Sequence, residues 1–173
     1  HEIHGLWPAS RVELSGMSRR HPFILLCQKA EDDACRDADR VVSMLPKVGP
    51  HLASRGLDLR KLHIVPNGIA PEEWSEAGEP LAEPLRNHLD AQRRQQRLLV
   101  VYAGSHGEPN ALDVLLDAAK LLAGAPLAFV LVGDGHEKER LQARAAAEGL
   151  ANVAMFPPIP KAQIPALLRE ADI

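Results

Sequence analysis

The chain has 173 residues, of which 46% are hydrophobic and 25% are charged. This composition excludes a disordered chain and suffices for one ordinary hydrophobic core or two small ones. The formal net charge is only −3, with both signs mixed along the sequence. A general nucleic-acid binder is therefore also excluded, because such proteins need a basic face to displace counterions.

Cysteine usage and the lack of a long apolar run predict a cytoplasmic protein. Cys27 and Cys35 are eight residues apart in a predicted helix, without a CxxC pair or a histidine at zinc-finger spacing, and we interpret them as reduced core thiols. No apolar run approaches the ~18 residues that a membrane span needs. Because the sequence opens with His1 and stops within "READI", we interpret it as a piece of a longer protein.

The first 68 residues have an α/β rhythm. "HPFILLCQKAEDDACRDA" predicts a helix, "DRVVSML" a strand, "KVGPHLASRG" a short helix that ends at Gly56, and "KLHIVPNGI" a strand with a turn at Asn67-Gly68. The segment 69–97, rich in Pro, Glu and Arg, interrupts this rhythm and predicts a connector with one polar helix.

From Leu98 onward, short apolar runs alternate with helical stripes, which is typical of βαβ units and a parallel sheet. Strands are predicted at 98–103, 127–132 and 153–156. With right-handed crossovers, these elements would form half of a doubly wound sheet.

Two helices are predicted between these strands. The first has apolar residues at helical spacing from Leu112 to Leu122, with Asn110 as its expected N-cap. The second follows Gly135 and ends at Gly149, a residue type that commonly terminates helices.

The turn after the predicted strand 98–103 has the layout of a phosphate-binding loop, in which a buried strand is followed by glycines and then by a helix. In open α/β sheets, ligands bind beyond the carboxyl ends of the strands, where helix N-termini present free N–H groups. The turn contains no Lys or Arg, and a histidine with a pKa near ~6.5 would be only partly charged at neutral pH. The alternative is a turn whose glycines serve geometry only. The candidate residues are Gly104, Ser105, His106, Gly107 and Asn110.

Two later turns add candidates. Gly133, Asp134 and Gly135 follow the second strand, where the alternative role of the aspartate is to cap the next helix. The rigid loop "FPPIPK", Phe156 to Lys161, follows the third strand; its prolines could instead simply end the strand, with a solvated lysine. A dinucleotide fingerprint is not matched, since the first turn has Gly104-x-x-Gly107 rather than G-x-G-x-x-G.

The order of the motifs is more specific than any single motif. "ADRVVSMLPKVGPHLASRG", "HIVPNGI", "VVYAGSHG", "FVLVGDGHEKERLQ", "NVAMFPPIPK" and "LLREADI" together resemble the retaining glycosyltransferases of family 4. The opening "HEIHGLWPASRVELSGMSRRHPFI" resembles the bacterial O-antigen and capsule branch that includes L-fucosamine transferases. The resemblance covers essentially the whole chain.

This resemblance implies an α/β structure of the GT-B type, with parts of two Rossmann-like domains that contain parallel sheets. Residues 1–68 would be the C-terminal part of the acceptor-side domain, 69–97 the connector or hinge with its polar helix, and 98–173 the first half of the donor-binding domain. The acidic motif of the family, two glutamates separated by seven residues, would lie beyond residue 173.

The resemblance also implies roles for individual residues. His4 matches an acceptor-side histidine and is the candidate catalytic residue, while Asn67 and Gly68 are candidate hinge residues. Family 4 enzymes commonly place an arginine and a lysine in the first turn, so the missing charge would have to come from Lys161, His106 or parts of the enzyme outside this chain. The implied donor-binding residues are Gly104, Ser105, His106, Gly107, Asn110, Gly133, Asp134, Gly135, Phe156, Pro157 and Lys161.

The implied reaction is retaining transfer of a hexosyl or N-acetylhexosaminyl group from a nucleotide-sugar, expected to be UDP-linked. The acceptor would be a lipid-linked or saccharide intermediate of cell-surface polysaccharide synthesis, with peripheral contact to the inner face of the cell membrane. We expect the truncated chain to be inactive alone. The alternatives are a GT-B sugar-nucleotide epimerase and a non-catalytic nucleotide-binding or interaction module.

No metal or cofactor is expected. Asp37-Ala38-Asp39 matches the metal-binding DxD pattern, but that motif normally follows a strand, whereas here it ends a predicted helix. His1 and His4 do not form a metal pair, because residues three apart in a strand point to opposite faces.

Overall fold

Two parallel three-stranded sheets organise the chain in the computed structural model, which describes residues 1–75 and 78–173. The sheets belong to separate units, His1–Ile69 and Ala70–Ile173. This arrangement confirms the expected α/β class with parallel sheets.

The first unit has the strand order β1-β2-β3, and all of its strands are parallel. Its small core contains Ile3, Cys35, Val41, Val48 and Leu52. Its elements are β1 Glu2–Ile3, α1 Trp7–Ser15, α2 Pro22–Asp37, β2 Val41–Ser43, α3 Gly49–Ser54, a 3-10 turn Leu59–Lys61, and β3 Leu62–Ile64.

The predicted helices and strands of this unit are confirmed, while no regular turn is observed at Asn67-Gly68. The long helix α2 ends at Asp37, so the DxD pattern lies at a helix terminus, as expected from the sequence. Cys35 is buried and Cys27 is half-buried, and neither forms a disulfide. Burial raises the pKa of the Cys35 thiol, which keeps it protonated in the core.

The second unit has the strand order β4-β5-β6, again all parallel. Helices cover both faces of its sheet, as two separate clusters of buried residues show. Its elements are α4 Pro71–Ser75, α5 Glu83–Arg94, β4 Leu98–Ala103, a 3-10 turn Glu108–Asn110, α6 Asp113–Leu121, β5 Leu127–Val132, α7 Lys138–Ala147, β6 Val153–Phe156, a 3-10 turn Lys161–Gln163, and α8 Ile164–Glu170.

The three strands of this sheet end level with one another. Their observed bounds are the predicted ones, and the register pairs Ala103 with Val132 and Val132 with Phe156. The turns that follow β4, β5 and β6 therefore start side by side at one edge of the sheet.

β4 also has a neighbour on its other side. The Asp172 N–H donates to the Leu99 carbonyl at 2.9 Å, and the Val101 N–H donates to the Ile173 carbonyl at 3.0 Å. The chain thus runs outward through β5 and β6 and then returns beyond β4. In doubly wound sheets, ligands bind at such a reversal of strand order, beyond the carboxyl ends of the strands.

Most of the segment 69–97, predicted as a connector with one polar helix, packs within the second unit. From Ala70 onward it belongs to the second unit, and α5 packs against the sheet. Leu81, Leu85 and Leu89 are buried in the same cluster as Leu99 and Val130. Leu85 and Leu89, four residues apart, form one apolar stripe on the otherwise polar helix α5, and Leu81 precedes that helix.

The contact between two turns predicts a strong effect of one glycine. We expect Gly133→Ala to lower the free energy of unfolding by at least ~2 kcal/mol, because a Cβ there would lie 1.8 Å from the Gly104 carbonyl oxygen. Gly124→Ala is the matched control, since its Cβ would meet no atom within 4 Å, and it should change this free energy by less than ~0.5 kcal/mol. Urea denaturation of the two variants measures the difference; equal stabilities would contradict a close contact between the turns.

Candidate functional site

A crevice of about 340 Å³ lies at the carboxyl ends of β4, β5 and β6. A larger depression of about 450 Å³ lies beside α7 and the edge strand β6, but no charged side chain lines it. The crevice is the better candidate for an anionic ligand, because turns with small side chains line it and because ligands bind at this position in doubly wound sheets. Its lining residues are Ala103, Gly104, Ser105, Val132, Gly133, Asp134, Pro158, Ile159 and Ile164.

The turns after β4 and β5 are hydrogen-bonded to each other. The Gly104 N–H donates to the Val132 carbonyl at 3.0 Å, and the His106 N–H donates to the Asp134 carbonyl at 2.8 Å. A Cβ on Gly135 would lie 2.5 Å from the His106 carbonyl oxygen. Glycine is thus required here for close approach of the two backbones, and the turns form one rigid wall of the crevice.

The turn after β6 joins this arrangement through Lys138. The Gly133 N–H donates to the Phe156 carbonyl at 3.2 Å, and the Lys138 ammonium donates to the carbonyls of Gly133 at 2.7 Å and Phe156 at 3.1 Å. The ring of Phe156 packs edge-on to His88 of α5, with centroids 5.2 Å apart. Phe156 therefore contributes its backbone to the site, while its side chain belongs to the core.

His106 is fully buried, and its pKa is lowered. Burial is the main cause, the charge of Lys138 lowers the pKa further, and Asp134 opposes these effects. The imidazole is therefore neutral at pH 7, which corrects the expectation that His106 could supply positive charge. Neither ring nitrogen has a hydrogen-bond partner among residues 1–75 and 78–173. Each such buried polar atom costs about 1–3 kcal/mol unless a ligand or water satisfies it.

Asn110 shapes the first turn rather than capping a helix. Its amide donates to the Ser105 carbonyl at 2.7 Å, and the Tyr102 hydroxyl donates to the same oxygen at 2.8 Å. Ala111 has φ +47°, so the chain leaves helical geometry and α6 starts only at Asp113. The N-cap prediction for Asn110 is therefore wrong.

Backbone donors remain available at the crevice. Within the described part of the chain, the N–H groups of Ser105 and Asp134 donate to no protein acceptor, and both residues line the crevice. The Asp134 carboxylate accepts the Gly135 N–H at 2.9 Å, so it stabilises its own turn and does not cap α7. These two N–H groups are suited to bind an oxyanion.

Seven of the eleven predicted donor residues lie outside the crevice lining. Four of them, His106, Asn110, Gly135 and Phe156, belong to the turns described above; the other three are Gly107, Pro157 and Lys161. Gly107 lines a separate pocket of about 210 Å³, together with Glu137 and Arg140. Pro157 and Lys161 are exposed on the loop that follows β6. Sequence reasoning missed the neighbouring apolar residues of that loop which do line the crevice, Pro158 and Ile159, although the motif "FPPIPK" contains both.

The candidate residues of the first unit are exposed. His4 follows β1, and its Nε2 lies 3.0 Å from a carboxylate oxygen of Glu2. Asn67 and Gly68 lie just before the division between the two units, and the Asn67 amide is 3.5 Å from the sulfur of Met44. The catalytic role of His4 and the hinge role of Asn67 and Gly68 stay predictions.

Buried His106 and half-buried His88 predict a pH dependence of stability. Burial lowers the pKa of both His106 and His88, so the unfolded state binds protons more readily than the folded state. We expect the free energy of unfolding to fall as the pH decreases below ~6.5, and to keep falling until the pH is below the lowered values. His106→Asn should flatten this dependence, whereas the exposed control His136→Asn should not. Urea denaturation from pH 8 to pH 5 tests this; equal slopes for His106→Asn and the parent chain would contradict it.

Comparison with known proteins connects this geometry to a family. Residues 86–173, about half of the chain, match the family model described as "Glycosyl transferases group 1". WcaI of Escherichia coli strain K12, named for glycosyl transfer in colanic acid biosynthesis, is 26% identical over 159 residues, which cover 92% of this chain and 39% of WcaI.

Solved structures share the fold. Anabaena Alr3699/HepE, determined in complex with UDP-glucose, matches 99% of this chain and 44% of its own with a TM-score of 0.70 and 17% identity. WaaG, a glycosyltransferase involved in lipopolysaccharide biosynthesis, matches 99% of this chain and 48% of its own with a TM-score of 0.72 and 17% identity. These matches confirm the GT-B fold type. The chain spans less than half of each of these three relatives.

None of the helices among the described residues is long and apolar enough to cross a lipid bilayer. The parallel sheets, the crevice at the strand ends and the match over residues 86–173 lead to one assignment. The chain belongs to the glycosyl transferases group 1 family.

Proposed function

We propose that the protein is a retaining glycosyltransferase that uses a UDP-linked sugar as donor, and that the second unit binds this donor. The observation that carries the proposal is the crevice at the carboxyl ends of β4, β5 and β6, where exposed backbone donors meet an apolar loop. HepE, which was determined with UDP-glucose and with UDP, has the same fold, and this supports a UDP donor.

The lining of the crevice is suited to the two ends of such a donor. Pro158 and Ile159 offer an apolar surface for a base, while the N–H groups of Ser105 and Asp134 can bind the diphosphate. The diphosphate is the leaving group of glycosyl transfer. Backbone N–H groups that are already fixed in position stabilise the negative charge that develops on the diphosphate, because they need not reorganise during the reaction.

The acceptor chemistry is proposed from the family resemblance and from the relatives. WcaI and WaaG are named for colanic acid and lipopolysaccharide biosynthesis, which supports a lipid-linked or saccharide acceptor in cell-surface polysaccharide synthesis. We propose that the transferred group is a hexosyl or N-acetylhexosaminyl unit, and that the enzyme works in the cytoplasm in peripheral contact with the membrane. His4, held by Glu2, would orient an acceptor hydroxyl or accept its proton.

A binding titration tests the donor proposal. We expect the 173-residue chain to bind UDP more tightly than GDP or ADP by calorimetry, equally with and without Mg²⁺. Ser105→Glu places a carboxylate at the crevice and should weaken UDP binding at least ~10-fold, a loss of ~1.4 kcal/mol. Gln142→Glu adds the same charge beside β6, outside the crevice, and should leave binding unchanged.

Two results would contradict this proposal. A folded chain that does not bind UDP would mean that the turns have only a structural role. Equal effects of Ser105→Glu and Gln142→Glu would mean that the nucleotide binds elsewhere. In a chain extended to the length of its relatives, release of UDP without an acceptor would favour the epimerase alternative over sugar transfer.

A further inference from the structure

We propose that Lys138 supplies the positive charge that the turn 104–110 lacks, and that its ammonium group is the principal electrostatic partner of the donor diphosphate. This inference rests on the proposed function and assigns the anionic part of the donor to one side chain. The ligand class is a nucleoside diphosphate, whose phosphates distinguish it from the uncharged nucleoside.

The position of the ammonium group is the first observation. Its nitrogen lies 2.7 Å from the Gly133 carbonyl oxygen and 3.1 Å from the Phe156 carbonyl oxygen. These carbonyls stand at the ends of two adjacent strands, and Gly133 lines the crevice. An ammonium group has three N–H donors, so two serve these carbonyls and the third remains for a ligand.

The charge of Lys138 is not neutralised by a carboxylate. Among the three cations of α7, Arg140 pairs with Asp113 and Glu137, and Arg144 pairs with Asp113 and Glu148. Lys138 instead binds neutral carbonyl oxygens and forms no ion pair with any carboxylate whose side chain the structure describes. Its full charge therefore remains available to attract an anion.

The buried imidazole of His106 is a second, independent observation. Its Nε2 lies 3.3 Å from the position that a Cβ on Gly133 would occupy, beside the crevice lining, and it has no partner among the described residues. A buried donor without an acceptor indicates that a polar group is missing at this place. The ring has no exposed surface and does not itself line the crevice, so it marks an unsatisfied polar region beside Lys138 rather than a direct ligand contact.

The charge of the crevice lining favours a role for such a cation. Among the described residues that line the crevice, Asp134 is the only ionisable one, and its carboxylate repels a diphosphate. Lys138 therefore explains how a turn without Lys or Arg can belong to an anion site.

Parallel titrations with UDP and uridine test this assignment. Lys138→Met removes the charge but keeps an unbranched apolar side chain. We expect it to weaken UDP binding at least ~10-fold and uridine binding less than ~2-fold, because only UDP has phosphates. Lys138→Arg, which keeps the charge, should retain most of the UDP affinity. Lys120→Met is the matched control: it removes a lysine of α6 that pairs with Glu148, and it should change neither affinity.

Two further measurements complement the variants, and the first of them needs no variant. In NMR spectra of the unmodified chain, the Lys138 ammonium signal should shift on addition of UDP and stay in place on addition of uridine. Raising the salt concentration should weaken UDP binding to the unmodified chain more than to Lys138→Met, because salt screens the charge that the variant lacks.

Three outcomes would overturn the assignment in distinguishable ways. Equal loss of UDP and uridine binding in Lys138→Met would show that the lysine only clamps the two carbonyls. Unchanged UDP binding in that variant would remove Lys138 from the donor site and leave the proposed function standing. A folded chain that binds neither ligand, with no shift of the ammonium signal, would overturn the proposed function together with this inference.

Discussion

The second unit depends on the contact between two turns that only glycine permits. The Gly104 carbonyl oxygen lies 1.8 Å from where a side chain on residue 133 would begin, and His106 is similarly close to Gly135. This contact lets each turn donate to the other, and it aligns the ends of β4 and β5. The Lys138 ammonium extends the arrangement to β6. Backbone packing alone therefore forms a rigid edge of the sheet with exposed N–H groups, and no side-chain contact to a ligand is needed for it.

The positive charge at this edge lies on α7 and not in the first turn, where a phosphate-binding loop would be expected to have it. The imidazole within the first turn is buried and neutral, and the arginines of α7 are held by carboxylates. Those ion pairs connect α6 to α7 through Asp113, whose pKa the two arginines lower to about 2. Arginine thus holds the helices together, while a lysine bound only to carbonyls lies where the strands end. The helix α7 thereby contributes both to stability, through its arginines, and to the positive charge at the strand ends, through Lys138.

The sequence predicted what local patterns determine. Apolar runs bounded by Gly, Pro and charged residues located β4, β5 and β6 with the observed bounds, and the glycine turns located the crevice. α5 was assigned to a connector because the stripe of Leu81, Leu85 and Leu89 lies within a strongly polar segment. The burial of His106 and the contacts of Lys138 were not predictable, since both depend on three turns that meet only in the folded sheet.

Hydrogen exchange of backbone amides, measured with and without UDP, tests the central claim that these turns form one nucleotide-binding edge. We expect UDP to slow exchange at Ser105 and Asp134, whose N–H groups donate to no described acceptor, and in the loop that contains Pro158 and Ile159. Slowed exchange confined to the depression beside β6, or to the first unit, would contradict the account.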